Sequence, residues 1–247
     1  MKKKLLSLAL ACGMVFSLAA CGSQNAGIPP ADDPPAVTTP GAAPDAADQS
    51  SDPAETPDTA APSASGESGG ILIAYFGVPE TDGVDTVANA SRVATADGVV
   101  GNCEFIAQAI QEAVGGDLFA IETVQEYPGT HEALLDFAYQ ELRENARPEL
   151  SGEIDDPDSY DVIFLGYPNW NADLPMPLYT FLESYDFSGK TIIPFVTHGG
   201  SGFSRTISTI SSLQPDATVV EDGLSISRGN VANAAQEAMD WASEILN

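Results

Sequence analysis

Ile71-Leu72-Ile73-Ala74-Tyr75-Phe76, set between Gly69-Gly70 and Gly77, is an unbroken apolar run of strand length. A strand with one wet face alternates apolar and polar residues. A continuous run instead points to burial on both faces, as in a parallel sheet covered by helices. The text downstream repeats the theme. Asn102 precedes Glu104 to Ala113, where Phe105, Ile106, Ala109, Ile110 and Ala113 share one helical face, and Gly115-Gly116 supplies the stop. Leu118 to Ile121 reads as a second strand, and Thr130 or His131 to Asn145 as a second helix with Leu134, Leu135, Ala138 and Leu142 inward. Asp161 to Gly166 is a third strand, Met176 to Tyr185 a third helix, and Thr191 to Val196 a fourth strand despite Pro194 inside it. Phe203 to Leu213 gives a helix, Ala217 to Val220 and Leu224 to Ser227 a divided fifth strand, and Asn230 to Leu246 the closing helix. Five strands alternating with five helices predict an α/β domain over residues 70–247, a doubly wound parallel sheet with helices on both faces.

Upstream the text is of another kind. Lys2, Lys3 and Lys4 precede the apolar run Leu5 to Ala20, which is short for a membrane span and reads as a signal segment, residues 1–20. Leu18-Ala19-Ala20-Cys21-Gly22 resembles the bacterial lipoprotein signal, which implies lipid on Cys21 and a place outside the cytoplasmic membrane. Residues 21–69 hold half of the chain's 18 prolines, eight acidic residues and no Lys, Arg or aromatic residue, a composition that reads as an extended tether. With Cys12 in the signal and Cys21 lipidated, Cys103 is left alone, so the domain is expected to rest on a packed core and not on a disulfide.

The formal charge is -27, and loss of Lys2 to Lys4 takes it to about -30. Nucleic-acid binding depends on Lys and Arg neutralising phosphates, and the remaining basic residues, Arg92, Arg143, Arg147, Lys190, Arg205 and Arg228, form no run. Nucleic acid is therefore excluded as a partner. Two histidines without Cys-X-X-Cys or His-Glu spacing argue against a metal site, and no Gly-X-Ser-X-Gly elbow is present.

In an open parallel sheet, ligands bind beyond the carboxyl ends of the strands, and three loops there are unusual. Gly77 to Val100 is a long insertion that returns as Gly101-Asn102-Cys103 at a helix start, where free backbone N–H groups can hold an anion without Lys or Arg. Gly166-Tyr167-Pro168-Asn169-Trp170-Asn171-Ala172-Asp173 places two large aromatics in a turn, where a flat ring can stack and Asn169 and Asn171 can bond its edge. Thr197-His198-Gly199-Gly200-Ser201-Gly202 lets the backbone approach a ligand closely.

Ile-Ala-Tyr-Phe at 73–76, Gly-Asn at 101–102, Gly-Tyr-Pro-Asn-Trp at 166–170, Phe-Leu-Glu at 181–183, Phe-Ser-Gly-Lys at 187–190 and Thr-His-Gly-Gly-Ser-Gly at 197–202 together resemble the flavodoxin-like proteins over nearly all of residues 70–247. The resemblance implies strand order 2-1-3-4-5 and bound flavin mononucleotide (FMN). Gly77, Gly101, Asn102 and Cys103 would hold its phosphate, and Phe76 would be a further cofactor-binding residue. Tyr167, Pro168, Asn169, Trp170, Asn171 and Ala172 would flank the ring, with Thr197, His198, Gly199, Gly200, Ser201 and Gly202 closing on its other side. Two hydroxyl positions of the family pattern are Gly77 and Cys103 here, and Thr81, Thr86 or Ser91 of the insertion are the available replacements. Three functions follow. The first is an electron carrier of low potential, since a strongly negative protein disfavours added negative charge, working with a redox partner protein or small acceptor; Gly-X-Gly-X-X-Gly is absent, so electrons would come from a separate reductase. The second is an FMN-dependent reductase of quinones or other small acceptors, with His198 or Tyr167 as proton donor. The third is a surface binding module that kept the fold and lost the flavin.

Overall fold

The computed structural model describes residues 69–79, 91–95 and 98–247 of the chain. The expected signal segment, Cys21, all of the tether but its last residue, Thr81 and Thr86 lie outside them. The strands are β1 (Gly70–Tyr75), β2 (Arg92–Thr95), β3 (Gly98–Gly101), β4 (Asp117–Ala120), β5 (Tyr160–Pro168), β6 (Thr191–His198), β7 (Thr218–Val219) and β8 (Leu224–Ser227). The helices are α1 (Asn102–Val114), α2 (His131–Glu144), α3 (Met176–Ser184), α4 (Thr206–Leu213) and α5 (Ala235–Ile245). The main sheet runs β4-β1-β5-β6-β7, with β8 also on β6, and every pairing in it is parallel. With β7 and β8 counted as one divided strand, this is the order 2-1-3-4-5.

Strand parity sorts the core into two faces. Leu72, Ala74, Phe76, Ile163, Leu165, Tyr167, Ile192 and Val196 point to the face covered by α3 and α4, where Leu178, Phe181, Leu182 and Ile210 meet them. Ile73, Phe164, Ile193, Phe195, Leu224 and Ile226 point to the opposite face, against Ile106 and Ile110 of α1 and Ala238 and Ala242 of α5. Gly166 falls on that second face because the Phe195 ring lies across it; a Cβ there would come within 2.0 Å of the ring.

Pro194 explains why the fifth strand is divided. In a parallel sheet, successive residues of a central strand address alternate neighbours. Thr197 O of β6 accepts from Asn169 N on the β5 side (2.8 Å), whereas Ile192 O and His198 O accept from Val220 N (2.9 Å) and Arg228 N (2.8 Å) on the other. Pro194 has the parity of Ile192 and His198, so its missing N–H faces the interval between β7 and β8, where no ladder bond is required. Gly223 fits that interval, since a Cβ there would approach Pro194 O to 2.2 Å.

Three elements differ from the sequence reading. The insertion after β1 contains an antiparallel hairpin, β2 with β3, which leads straight into α1. Helix α4 begins at Thr206 and not at Phe203, because Ser204 takes a left-handed conformation (φ 50). The closing helix is preceded by a 3-10 turn at Val231–Asn233 and starts at Ala235. Among the described residues no helix is long and apolar enough to cross a membrane.

Candidate functional site

The sheet order reverses between β1 and β5, and a cleft opens there beyond the strand ends. Gly77 and Val78 after β1, Asn102 and Cys103 opening α1, Pro168, Asn169 and Trp170 after β5, and Thr197, His198 and Gly199 after β6 all line it. A shallower shoulder of about 550 Å³ continues past Asn171, Ala172, Gly200 and Ser201. Most of the residues expected at a site are thus brought together. Phe76, Gly101, Tyr167 and Gly202 are not on the wall of the cleft or its shoulder.

Tyr167 corrects the sequence reading most clearly. It shares strand parity with Ile163 and Leu165, so its ring enters the core and is wholly buried. Its hydroxyl donates to Thr206 Oγ1 at 2.9 Å, and burial pushes its pKa upward. A buried phenol turned away from the cleft is no proton donor to it. Phe76 is also buried, beneath the cleft, where its ring meets Trp170 edge-on. Gly101 is the buried N-cap of α1, and its N–H donates to Glu104 Oε2 (3.2 Å).

Trp170 forms part of the wall while its ring packs against Phe76 (centroids 5.4 Å, 79°) and Tyr127 (5.7 Å, 62°). Behind it Tyr127 donates to Glu141 Oε2 at 2.9 Å, and Gln125 also donates to that carboxylate. Burial raises the Glu141 pKa, and the two hydrogen bonds offset part of the rise. Across the interval from the ordinary glutamate pKa up to this raised value, the folded protein holds a proton that the unfolded chain has released. Stability from this group is therefore full at lower pH and is lost as pH rises. Glu141→Gln is expected to flatten that slope, read as the pH dependence of urea midpoints in both proteins; parallel profiles would show that Glu141 titrates normally.

The turn Trp170-Asn171-Ala172-Asp173 closes with reciprocal backbone bonds, Trp170 N to Asp173 O and Asp173 N to Trp170 O, and both central residues are left-handed (φ 54 and 62). Asn tolerates that region and Ala does not. Ala172→Gly is expected to stabilise the protein by about 0.5–1 kcal/mol in chemical denaturation, the strain relieved exceeding the entropy that glycine adds to the unfolded chain. An unchanged or lower midpoint would refute strain at the tip.

Asn169 does not present its amide nitrogen to the cleft. Its Nδ2 donates to Gly202 O (2.7 Å) and Ser204 Oγ (3.0 Å), tying the Trp170 loop to the glycine loop. Asn171 and Ala172 stand exposed at the turn tip, and Gly200 and Ser201 are exposed opposite. His198 Nδ1 accepts from Gly200 N at 2.9 Å, which leaves Nε2 as the protonated nitrogen. Burial lowers the His198 pKa, so the ring is neutral near pH 7 and can donate a hydrogen bond without carrying charge. Cys103 is buried, with Sγ 3.3 Å from Thr197 Oγ1, and its pKa is pushed up to about 12 by burial; it brings no negative charge.

Residues not singled out as site candidates complete the wall: His131, Leu134, Leu135 and Ala138 from α2, Val78 and Arg228. The α2 stripe has the spacing i, i+3, i+4, i+7 and reads as a core face from sequence. Here it borders a cleft, and Leu135 is 46% exposed. Ser91, the one described hydroxyl among the suggested replacements, is on the wall too. The cleft combines an indole, an aliphatic stripe, a close glycine backbone and hydrogen-bond donors, a set that fits a flat heterocycle carrying an anionic end. Among the described residues no three His, Cys, Asp or Glu side chains gather as metal ligands would.

Residues 92–245 match the flavodoxin family model. No curated protein matches the chain. Among solved structures, a candidate flavoprotein from Bacteroides eggerthii DSM 20697 is similar at 24% identity over 72% of this chain and 98% of its own, with TM-score 0.48. A flavoprotein in complex with FMN from Lactobacillus acidophilus NCFM is similar at 16% identity, 68% and 99% coverage and TM-score 0.46. Oxidised flavodoxin 1 from Bacillus cereus is similar at 18% identity, 71% and 97% coverage and TM-score 0.39.

Proposed function

The chain belongs to the flavodoxin family, and from that premise we propose that residues 70–247 bind FMN and carry electrons, outside the cytoplasmic membrane, on a lipid anchor at Cys21. The observation that carries the reading is the convergence of the loops after β1, β5 and β6 on one cleft at the point where strand order reverses. Bound FMN would supply one- and two-electron transfer. The chain's own part is to seat the ring beside Trp170, to offer His198 Nε2–H and the glycine-loop backbone to its polar edge, and to exclude water with the α2 stripe. The strongly negative domain holds the potential low and favours a basic redox partner.

The deciding experiment is the visible spectrum of the purified chain before and after FMN addition and dialysis. Retained flavin bands support the reading. A colourless protein that takes up no FMN removes both redox functions and leaves the binding module. Cys21→Ser tests the anchor: the protein is expected to leave the membrane fraction, and continued membrane association would count against lipidation.

A second redox reading, reduction of small acceptors, is favoured by the shoulder beside the cleft, which has room for another molecule against Leu135, Ala172 and Ser201. Turnover of a quinone with a nicotinamide donor and no added reductase would favour it over the carrier.

A further inference from the structure

The described domain has six basic residues, and five are engaged. Arg147 pairs with Glu183 (2.6 Å), Arg205 pairs with Asp173, Lys190 donates to Tyr160 O (2.6 Å), Arg143 lies over the Tyr139 ring, and Arg92 is buried with contacts of its own. The Arg228 guanidinium makes no hydrogen bond or ion pair with any described residue. It is half-buried and lies against Gly199, where a Cβ would sit 3.6 Å from its Cζ, and it lines both the cleft and the shoulder. Its own N–H donates to His198 O (2.8 Å), which fixes the base of the side chain at the cleft edge. Among the described residues of a chain of charge -27, a half-buried guanidinium with no acidic partner stands out, because charge taken out of water is stabilised by pairing. A ligand that carries the opposite charge would find this guanidinium available at the cleft edge.

The helix start offers less to an anion than its position suggests. Gly101 N–H is used by Glu104, Asn102 N–H by Ser91 O (2.9 Å), and the Glu104 carboxylate adds a like charge. The Cys103 thiol is taken up with Thr197, and Gly77 has no side chain to give. Resting on the FMN reading of the cleft, we propose that Arg228 is the residue that recognises the phosphate monoester of the bound ligand, so that it selects FMN over the unphosphorylated flavin. A guanidinium binds two phosphate oxygens at once, which an isolated backbone donor cannot do.

The test measures affinities of the purified chain for FMN and riboflavin, with Arg228→Gln and Arg228→Lys alongside. Arg228→Gln is expected to weaken FMN by about 10- to 100-fold and leave riboflavin within about threefold, the loss of charge-assisted bonds to one phosphate. Arg228→Lys keeps the charge without the fork and is expected to lose about fivefold; it carries the test if the glutamine variant does not fold. An unchanged FMN-to-riboflavin ratio in both variants, with FMN still bound, overturns this proposal and leaves the FMN reading standing. If neither flavin binds the parent chain, the FMN reading falls and inorganic phosphate decides. Thermal stabilisation by phosphate in the parent and not in Arg228→Gln sustains the anion site; no stabilisation overturns it.

Discussion

Replacing Asp173 with alanine is expected to lower stability by about 3 kcal/mol, the cost of leaving several buried or half-buried donors without an acceptor. Asp173 is 1% exposed. Its Oδ1 accepts from Leu174 N (2.9 Å) and Thr209 Oγ1 (3.3 Å), and its Oδ2 from Tyr179 OH (3.0 Å) and from Arg205 Nη2. The Arg205 side chain is 62% exposed, so water screens that attraction and compensates the cation once its partner is gone. Most of the loss therefore comes from Leu174 N, which is buried, with a smaller part from the half-buried Tyr179 OH. Asp173→Asn keeps an acceptor for Leu174 and is expected to cost about half as much. Urea denaturation of both variants measures the difference, and a loss under about 1 kcal/mol for the alanine variant would mean that water replaces the carboxylate. The site shares the consequence. Asp173 also closes the Trp170 turn through backbone bonds, so the group that joins α3 to α4 positions one wall of the cleft as well.

The architecture was legible because a strand covered on both faces must be apolar along its whole length. Residues 71–76, 161–166 and 191–196 therefore announce themselves without help from partners. Pro194 is an objection as long as the side its missing N–H faces is unknown; the interruption of the neighbouring strand at 220–223 removes the need for that N–H. The β2–β3 hairpin was hidden because each strand is four residues long and Gly98 adopts a positive φ (143). Periodicity over so few residues carries little information.

Legibility of the site divides along a similar line. Trp170 and the 197–202 loop stood out because an indole and a glycine run in turns have no core role that sequence can supply. Tyr167 was misplaced for want of extending the parity of Ile163 and Leu165 by one more pair. Leu134, Leu135 and Ala138 read as a helix's apolar face, and whether such a face meets core or cleft depends on what lies opposite. Arg228 had no local signal at all. Its interest lies in the lack of a partner among the described residues, a property of the folded chain.

With FMN seated as proposed, Trp170→Ala is expected to weaken its binding by about 10- to 100-fold, the loss of one aromatic stacking surface at about 1–3 kcal/mol. The indole is well placed for this because Phe76 and Tyr127 meet it edge-on and hold it in the wall. The same contacts mean that alanine also leaves a gap behind the wall, so a weaker complex alone does not separate stacking from collapse. Trp170→Phe retains a ring of smaller area. If stacking is the cause, it recovers most of the affinity, and its denaturation midpoint need not return to that of the parent. If affinity instead follows stability through both variants, Trp170 acts as a buttress of the loop and the ring is gripped elsewhere. Unchanged affinity in Trp170→Ala would place the flavin away from this wall, and with it the role assigned to the 167–172 loop.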